Sequence, residues 1–486
     1  MAREEGGAMI EYEPVIGMEV HVELQTKSKM FCGCEVGFGG EPNTRCCPVC
    51  LGLPGSLPVV NERAIKLMTK AALALNCTIA PQCIFHRKNY YYPDLPKNYQ
   101  ISQYDNPLGS NGYVEITGKK IAVRRVHMEE DTGKLLHVEG SRSLVDYNRS
   151  GVPLMEIVTM NPPPPGLDQI ESADEAREYL QRLRQILVYL GVSDCKMEEG
   201  SMRCEPNISI KPKGQVEFGT KTEIKNLNSF RAVYLGVDYE LKRQEKVLRE
   251  GGKIVQETRR WDDSRGVTAS MRSKEFEQEY RYFPEPDLVP MVFSDEYTGK
   301  LRAELPELPM AKIERFVSDY GIPQADAEVL TDSIELADFY DACAKCSNDP
   351  KAVANWLTGE FLRLVNATGI AITNARITPQ GLCELIGLVD EGTINRNTAK
   401  SVFEEMFSTG KSAGEIVKAK GLEQVSDTAE IEAAVDRVIA ASPKEVERFK
   451  GGEEKLIGFF VGQVMRETKG KANPAVVNEL LKGKLR

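Results

Sequence analysis

Gly17-Met-Glu-Val-His-Val-Glu-Leu24 alternates apolar and polar residues without a break. In a strand, successive side chains point to opposite faces, so Glu19, His21 and Glu23 share one face and Met18, Val20, Val22 and Leu24 the other. Two readings of the polar face stand: the wet side of a surface strand, or a row of ligands. A second run, Val126-His-Met-Glu-Glu-Asp-Thr-Gly-Lys134, alternates too, with His127, Glu129 and Asp131 on one side and Val126, Met128 and Glu130 on the other. Two carboxylate-rich strands repel where they converge unless protons or divalent cations compensate. Oxygen-rich ligands with an occasional imidazole suit Mg²⁺ bound together with the phosphates of a nucleotide.

The neighbouring sequence fits a phosphorylated ligand. His86-Arg-Lys-Asn-Tyr-Tyr-Tyr-Pro-Asp-Leu-Pro-Lys97 combines cations, adjacent tyrosines and turn-forming prolines, and Asp146-Tyr-Asn-Arg-Ser-Gly-Val-Pro153 sets an arginine beside a glycine turn. A P-loop is missing. Gly214 to Thr222 comes close, but Thr220 separates Gly219 from Lys221. No Gly-x-Ser-x-Gly elbow is present either.

Of twelve cysteines, Cys32, Cys34, Cys46, Cys47 and Cys50 crowd together, while the other seven are scattered and expected to be reduced. Cys32-x-Cys34 and Cys47-x-x-Cys50 are short-spaced pairs at the two ends of a loop, which suits a tetrahedral zinc; buried or redox-active thiols are the other reading. Four thiolates would fill the coordination sphere, so such a zinc is structural, with Cys46 a bystander. Cys343-Ala-Lys-Cys346 lies in an expected helix from Ser333 to Lys345 and reads as two half-buried cysteines.

The chain's 486 residues predict about three domains. Residues 1–295 are rich in short strand-like runs and hold all four histidines. Two helices interrupt them: one after Asn61 through Ile65, Met68, Ala72 and Leu75, and one after a Ser172-x-x-Glu175 capping box, with Ala176, Leu180, Leu183, Leu187 and Leu190 as its stripe. Residues 296–410 turn helical, with starts at Asp349-Pro350 and Thr378-Pro379 and a core of Trp356, Leu357, Phe361 and Leu364. Residues 411–486 form a small helical module. Its last stretch carries Lys455, Arg466, Lys469, Lys471, Lys482, Lys484 and Arg486 against Glu467 and Glu479, in a chain of net charge −10. That asymmetry reads as a phosphate-backbone contact or as a solvated helix face. No apolar run approaches the ~20 residues of a membrane span, and Met1 to Gly7 has no apolar core of a secretory signal, so a cytoplasmic chain is expected.

Many ordered stretches together carry a family resemblance. They include Val15 to Leu24, Glu41-Pro-Asn43, Leu53-Pro-Gly55, Tyr91 to Ser102, Asp146 to Glu156, Glu198 to Arg203, Gly219 to Ser229 and Tyr280 to Asp287. Over essentially its whole length the chain resembles the GatB family of the GatCAB aspartyl/glutamyl-tRNA amidotransferases, in the version that carries the cysteine quartet.

The resemblance implies an α+β fold: a cradle-like N-terminal domain similar to the glutamine synthetase catalytic fold, an all-α domain, and a YqeY-like helical tail that binds tRNA. It implies ATP-dependent phosphorylation of the side-chain carboxylate of Glu on tRNA(Gln) or Asp on tRNA(Asn), followed by displacement of phosphate by ammonia. A bare carboxylate would have to expel oxide, whereas an acyl phosphate offers a good leaving group. Family resemblance puts Mg²⁺ on the Glu19/His21 strand with a carboxylate from Glu129 or Glu130. Glu19, His21 and Glu130 are the expected catalytic set, Glu23, Glu129 and Asp131 are further magnesium candidates, and Arg87, Lys88 and Lys134 are expected phosphate contacts. Cys32, Cys34, Cys47 and Cys50 are expected to hold Zn²⁺. The chain shows no amidase Ser-Ser-Lys signature, so ammonia is expected from an amidase-like A subunit, in a heterotrimer completed and braced by a small C subunit. A stand-alone kinase of a small carboxylic acid and a non-catalytic tRNA-binding scaffold are the rival readings.

Overall fold

The computed structural model describes residues 10–138, 142–273, 280–423, 428–468, 472 and 474–485. It forms two units, Met1–Met310 and Ala311–Arg486. Both helix and sheet are abundant, and the sheet belongs to the first unit.

That unit is built on a twelve-stranded sheet among the described residues. Its strands are β1 (Tyr12–Glu23), β2 (Thr78–Ile79), β3 (His86–Asn89), β4 (Tyr99–Ser102), β5 (Gly109–Ile116), β6 (Lys119–Glu130), β7 (Pro153–Thr159), β8 (Met202–Pro212), β9 (Thr222–Lys225), β10 (Glu257–Asp262), β11 (Val267–Ser273) and β12 (Phe283–Pro284). The order is β11-β10-β9-β8-β1-β7-β6-β4-β3-β12, with β5 pairing β6 and β2 pairing β5. Only β9 and β10 run parallel among these pairs. The strand singled out by its alternation is therefore central, between β8 and β7, and β7 separates it from β6.

Alternation decides the two faces. Met18, Val20 and Val22 of β1, Val126 and Met128 of β6, Met155 and Ile157 of β7 and Ile208 of β8 are buried in one core. Helices α1 (Glu62–Ala74), α2 (Ala173–Tyr189) and α3 (Phe230–Arg249) belong to that core and contact the sheet or one another. Asn61 caps α1 by accepting from the Arg63 and Ala64 N–H groups. The capping box of α2 is half realised: Ser172 accepts from the Glu175 N–H, but the Glu175 carboxylate accepts from the Glu171 N–H. Gly191, at φ 60°, ends the helix in the left-handed region that glycine tolerates.

One irregularity sets the phase of β6. Arg125 faces Val158 and Val123 faces Thr159, so Arg124 is an extra residue in the ladder. Ile121 and Val123 point to the core before this bulge, and Val126 and Met128 after it. The bulge thus turns Arg125, His127 and Glu129 together to the open face.

In the second unit, Ser333 caps Ile334–Cys346, Asp349 caps Pro350–Trp356 and Thr378 caps Pro379–Asp390. Leu357–Phe361 is a π-turn, and its extra residue rotates the face that follows. Val365 is consequently buried where the helical spacing predicted Leu364, which is only half-buried. The expectation of reduced cysteines fails at Cys346 and Cys383, which are disulfide-bonded. The partner stands 37 positions away on another helix, with no spacing signal. Residues Ala413–Lys420 pack on the two preceding helices, whereas Ile431, Val435, Phe460, Val464, Val477 and Leu481 form a core of their own. Lys484 pairs with Glu432 and Asp436, which removes part of the expected basic character. Lys469, Lys471 and Arg486 lie outside the described residues. No described helix is long and apolar enough to cross a membrane.

Candidate functional site

Glu19, His21 and Glu23 do share one face of β1, yet they do not converge. At 3.3–3.4 Å per residue they stand roughly 7 Å apart, and each anchors a separate polar cluster.

The central cluster gathers on His21. Its Nε2 lies 3.6 Å from Glu156 of β7, and Glu156 lies 3.0 Å from His127 Nε2. His127 also reaches Glu129 at 3.3 Å, and Lys88 approaches Glu129 at 3.7 Å. Burial pushes the Glu156 carboxyl up, but His127 and His21 outweigh it and hold it well below the usual range. Burial likewise opposes charge on His127, yet Glu156 and Glu129 raise it to about 8. Glu129 is drawn down to about 2 against its burial, chiefly by Lys88 and His127. Ligand atoms of His21, Glu129 and Glu156 lie within 4.8 Å of one another, a spacing one divalent ion can bridge.

Glu19 anchors the second cluster with Glu205 of β8 and Glu223 of β9, again within 4.8 Å. Asn207 donates to Glu19 at 3.1 Å, and Lys225 contacts Glu205 at 2.6 Å and Glu223 at 3.4 Å. One lysine faces three carboxylates. Burial first, then Glu156, Glu205 and Glu223, raises the Glu19 carboxyl. That surplus of negative charge fits a hard divalent cation. Lys88 and Lys225 both line a cleft of about 800 Å³, along with Tyr90, Tyr91, Tyr92 and Tyr280.

Glu23 belongs to a third cluster with a different chemistry. It shares a hydrogen bond with Asp131, which Arg203 contacts at 2.5 Å and Arg149 at 3.6 Å. Burial and then Asp131 push Glu23 up to about 8, while the two arginines hold Asp131 down. Between the ordinary value of 4.5 and 8, folded Glu23 therefore holds a proton that the unfolded chain has released. Its stability contribution is present in acid and is lost as pH rises through that window. The Glu23→Gln variant should gain on the wild type by about 1–2 kcal/mol between pH 5 and pH 8, read from denaturation midpoints at both values. A constant gap would refute the shared proton.

The remaining expected residues are scattered. Glu130 faces away from His21, accepting from the Ile101 N–H at 3.0 Å and pairing with Lys97. Arg87 is clasped by Glu285 at 2.7 and 2.8 Å and by Asp287 at 3.3 Å. Lys134 lines a different cavity of about 530 Å³, with Glu23, Phe38 and Arg149. Glu156, Glu205, Glu223 and Lys225 were absent from the expected set. Each is a polar residue at alternate spacing in an apolar strand, as in Leu154-Met-Glu-Ile-Val158 and Met202-Arg-Cys-Glu-Pro-Asn-Ile208.

Sulfur atoms of Cys32, Cys34, Cys47 and Cys50 lie within 4.8 Å of one another, and Cys46 is outside the group. A tetrahedral zinc with 2.3 Å bonds requires sulfurs ~3.8 Å apart, so the quartet is close to a closed metal site. The Cys50 thiol is lowered to about 4, first by the Cys32 thiol, with the Cys47 backbone and Lys29 adding to it. Lys29 is fully buried, 3.7 Å from Cys50 Sγ and 3.2 Å from the Tyr147 carbonyl. The loop also touches Lys97: a Cβ on Gly52, at φ +67°, would stand 2.4 Å from Lys97 Cγ.

Residues 14–299 match the GatB/GatE catalytic domain family, and residues 338–485 match the GatB domain family. The chain belongs to the GatB family. A relative from Carboxydothermus hydrogenoformans, the B subunit of an aspartyl/glutamyl-tRNA(Asn/Gln) amidotransferase, is 57% identical over 98% of this chain and 99% of its own length. B subunits of the same amidotransferase from a Thermoanaerobacter species and from Thermodesulfovibrio yellowstonii are 56% and 55% identical, over 98% and 97% of this chain and 100% and 99% of their own lengths. Within the GatB catalytic match lie all three clusters of β1 and the cysteine quartet.

Proposed function

We propose that this GatB chain activates the side-chain carboxylate of Glu-tRNA(Gln), Asp-tRNA(Asn) or both with ATP, and that ammonia from a partner protein then converts the activated group to the amide. The observation that carries this reading is the pair of three-ligand clusters, one on His21 and one on Glu19, set side by side on one strand. Two anionic substrates must meet in this reaction, a polyphosphate and a carboxylate. Two neighbouring cation sites with Lys88 and Lys225 beside them suit that meeting.

His21, Glu129 and Glu156 would hold one Mg²⁺, and Glu19, Glu205 and Glu223 a second. Bound divalent ions supply charge neutralisation to the phosphoryl oxygens and lower the repulsion between the reactants. His127 holds Glu156 and Glu129 in place from behind. Lys88 offers an ammonium at the edge of the central cluster, beside the tyrosine-lined cleft. The glutamine synthetase-like cradle is the finer fold reading that accompanies this role. The cysteine quartet would carry a structural Zn²⁺, and the helical tail would grip tRNA. That the relatives are B subunits supports an assembly with an amidase-like A subunit and a small C subunit.

The test uses the chain assembled with A and C subunits. ATP cleavage should rise on adding Glu-tRNA(Gln) or Asp-tRNA(Asn), and hardly respond to uncharged tRNA. Cleavage indifferent to charged tRNA would favour a small-acid kinase, and binding of tRNA without any cleavage would leave a scaffold.

A further inference from the structure

The cations around the two clusters are already engaged. Lys88 meets Glu129, Lys225 meets Glu205, Arg203 meets Asp131 and Arg87 meets Glu285. Arg125 differs. Among the described residues, no carboxylate lies within ion-pair distance of its guanidinium. One of its nitrogens, Nη2, donates to the Gln103 carbonyl at 2.7 Å. Its Nε is buried and has no hydrogen-bond partner.

Position makes this arginine more than a stray charge. The bulge at Arg124 puts Arg125 on the face of His127 and Glu129, and the ladder puts it opposite Val158, two residues from Glu156. A buried guanidinium donor without an acceptor is costly, and the planar fork matches the oxygens of a phosphate. We infer that Arg125 contacts the phosphoryl oxygens of the nucleotide beside the His21–Glu129–Glu156 cluster, stabilising the charge that builds there during transfer. This rests on the proposed ATP-dependent activation, and it gives Arg125 a role expected from the sequence of Arg87 and Lys134.

The experiment compares wild type, Arg125→Gln and Arg125→Lys in the assembled enzyme. Arg125→Gln should lower kcat for ATP cleavage with charged tRNA by about 100-fold, the size typical of losing one preorganised donor. Calorimetry with Mg²⁺ and ADP should show affinity changed by no more than about threefold, while affinity for ADP with aluminium fluoride falls about 100-fold. Arg125→Lys keeps the charge without the fork and should fall between; should the glutamine variant fail to fold, the lysine variant alone must show at least a tenfold loss in both readouts. Variants that match an active wild type overturn the assignment to Arg125. A loss confined to KM for charged tRNA overturns it too, since the guanidinium would then serve the substrate carboxylate. A wild type that cleaves no ATP under these conditions fells the underlying functional reading instead.

Discussion

Glu156→Gln is expected to reduce ATP cleavage with charged tRNA on the order of 1000-fold, with little change in side-chain volume. Glu156 is the carboxylate shared by both imidazoles, at 3.0 Å from His127 and 3.6 Å from His21. Replacing it with an amide leaves Glu129 as the cluster's one remaining carboxylate and strips both histidines of their main anion. The Mg²⁺ concentration for half-maximal rate should rise by about 10- to 100-fold, and saturating Mg²⁺ should not restore kcat. Rate measurements across a Mg²⁺ series decide it. A variant with wild-type kcat at every Mg²⁺ concentration would remove Glu156 from the centre, leaving it a buried partner of the histidines.

The second large effect concerns the cysteine quartet. Cys50→Ser deletes a ligand that is 4% exposed and also deletes the thiolate opposite Lys29. Lys29 would then face only the Tyr147 carbonyl from a fully buried position. Structural zinc contributes roughly 10–16 kcal/mol of apparent binding energy in small peptides, so even a fraction of that is a large share of a domain's stability. The variant should lose one equivalent of zinc by elemental analysis, and melting of the N-terminal unit should drop by on the order of 10 °C. Cys46→Ser is the matched control and should keep both metal and melting temperature. Equal zinc content and equal melting in Cys50→Ser would falsify the structural-zinc reading.

Much of the site was legible because alternation is a local signal. The stretch Gly17–Leu24 predicted its own two faces, and the buried row Met18, Val20, Val22 and Leu24 confirms the apolar one. Helix starts at Asn61, Ser333, Asp349 and Thr378 were readable for the same reason: a cap is made by residues within one turn. What failed was adjacency. Nothing in the sequence says that β7 stands between β1 and β6, and that strand supplies Glu156. Once β7 is interposed, a direct meeting of Glu19 with Glu130 gives way to three separate clusters. Glu130, at the end of β6, pairs instead with Lys97, close to the cysteine loop. Arg87 and Lys134 carried the right charge for a phosphate, but an arginine clasped by two acids and a lysine in another cavity are set by contacts about 200 residues apart or by loop geometry.

The extra residue at Arg124 means that the two halves of β6 are out of step in sequence and in step in space. Deleting Arg124 would do more than remove one exposed charge. The bulge would go with it, and Ile121, Val123, Val126 and Met128 would fall into one unbroken alternation, all still facing the core. Only if Arg124 stayed and the bulge were flattened, with the first half in its seat, would His127 and Glu129 be turned inside out, toward the helices. The site is thus written in a reading frame of side-chain parity, and the bulge acts on the extra residue as a suppressor acts on a frameshift in a gene.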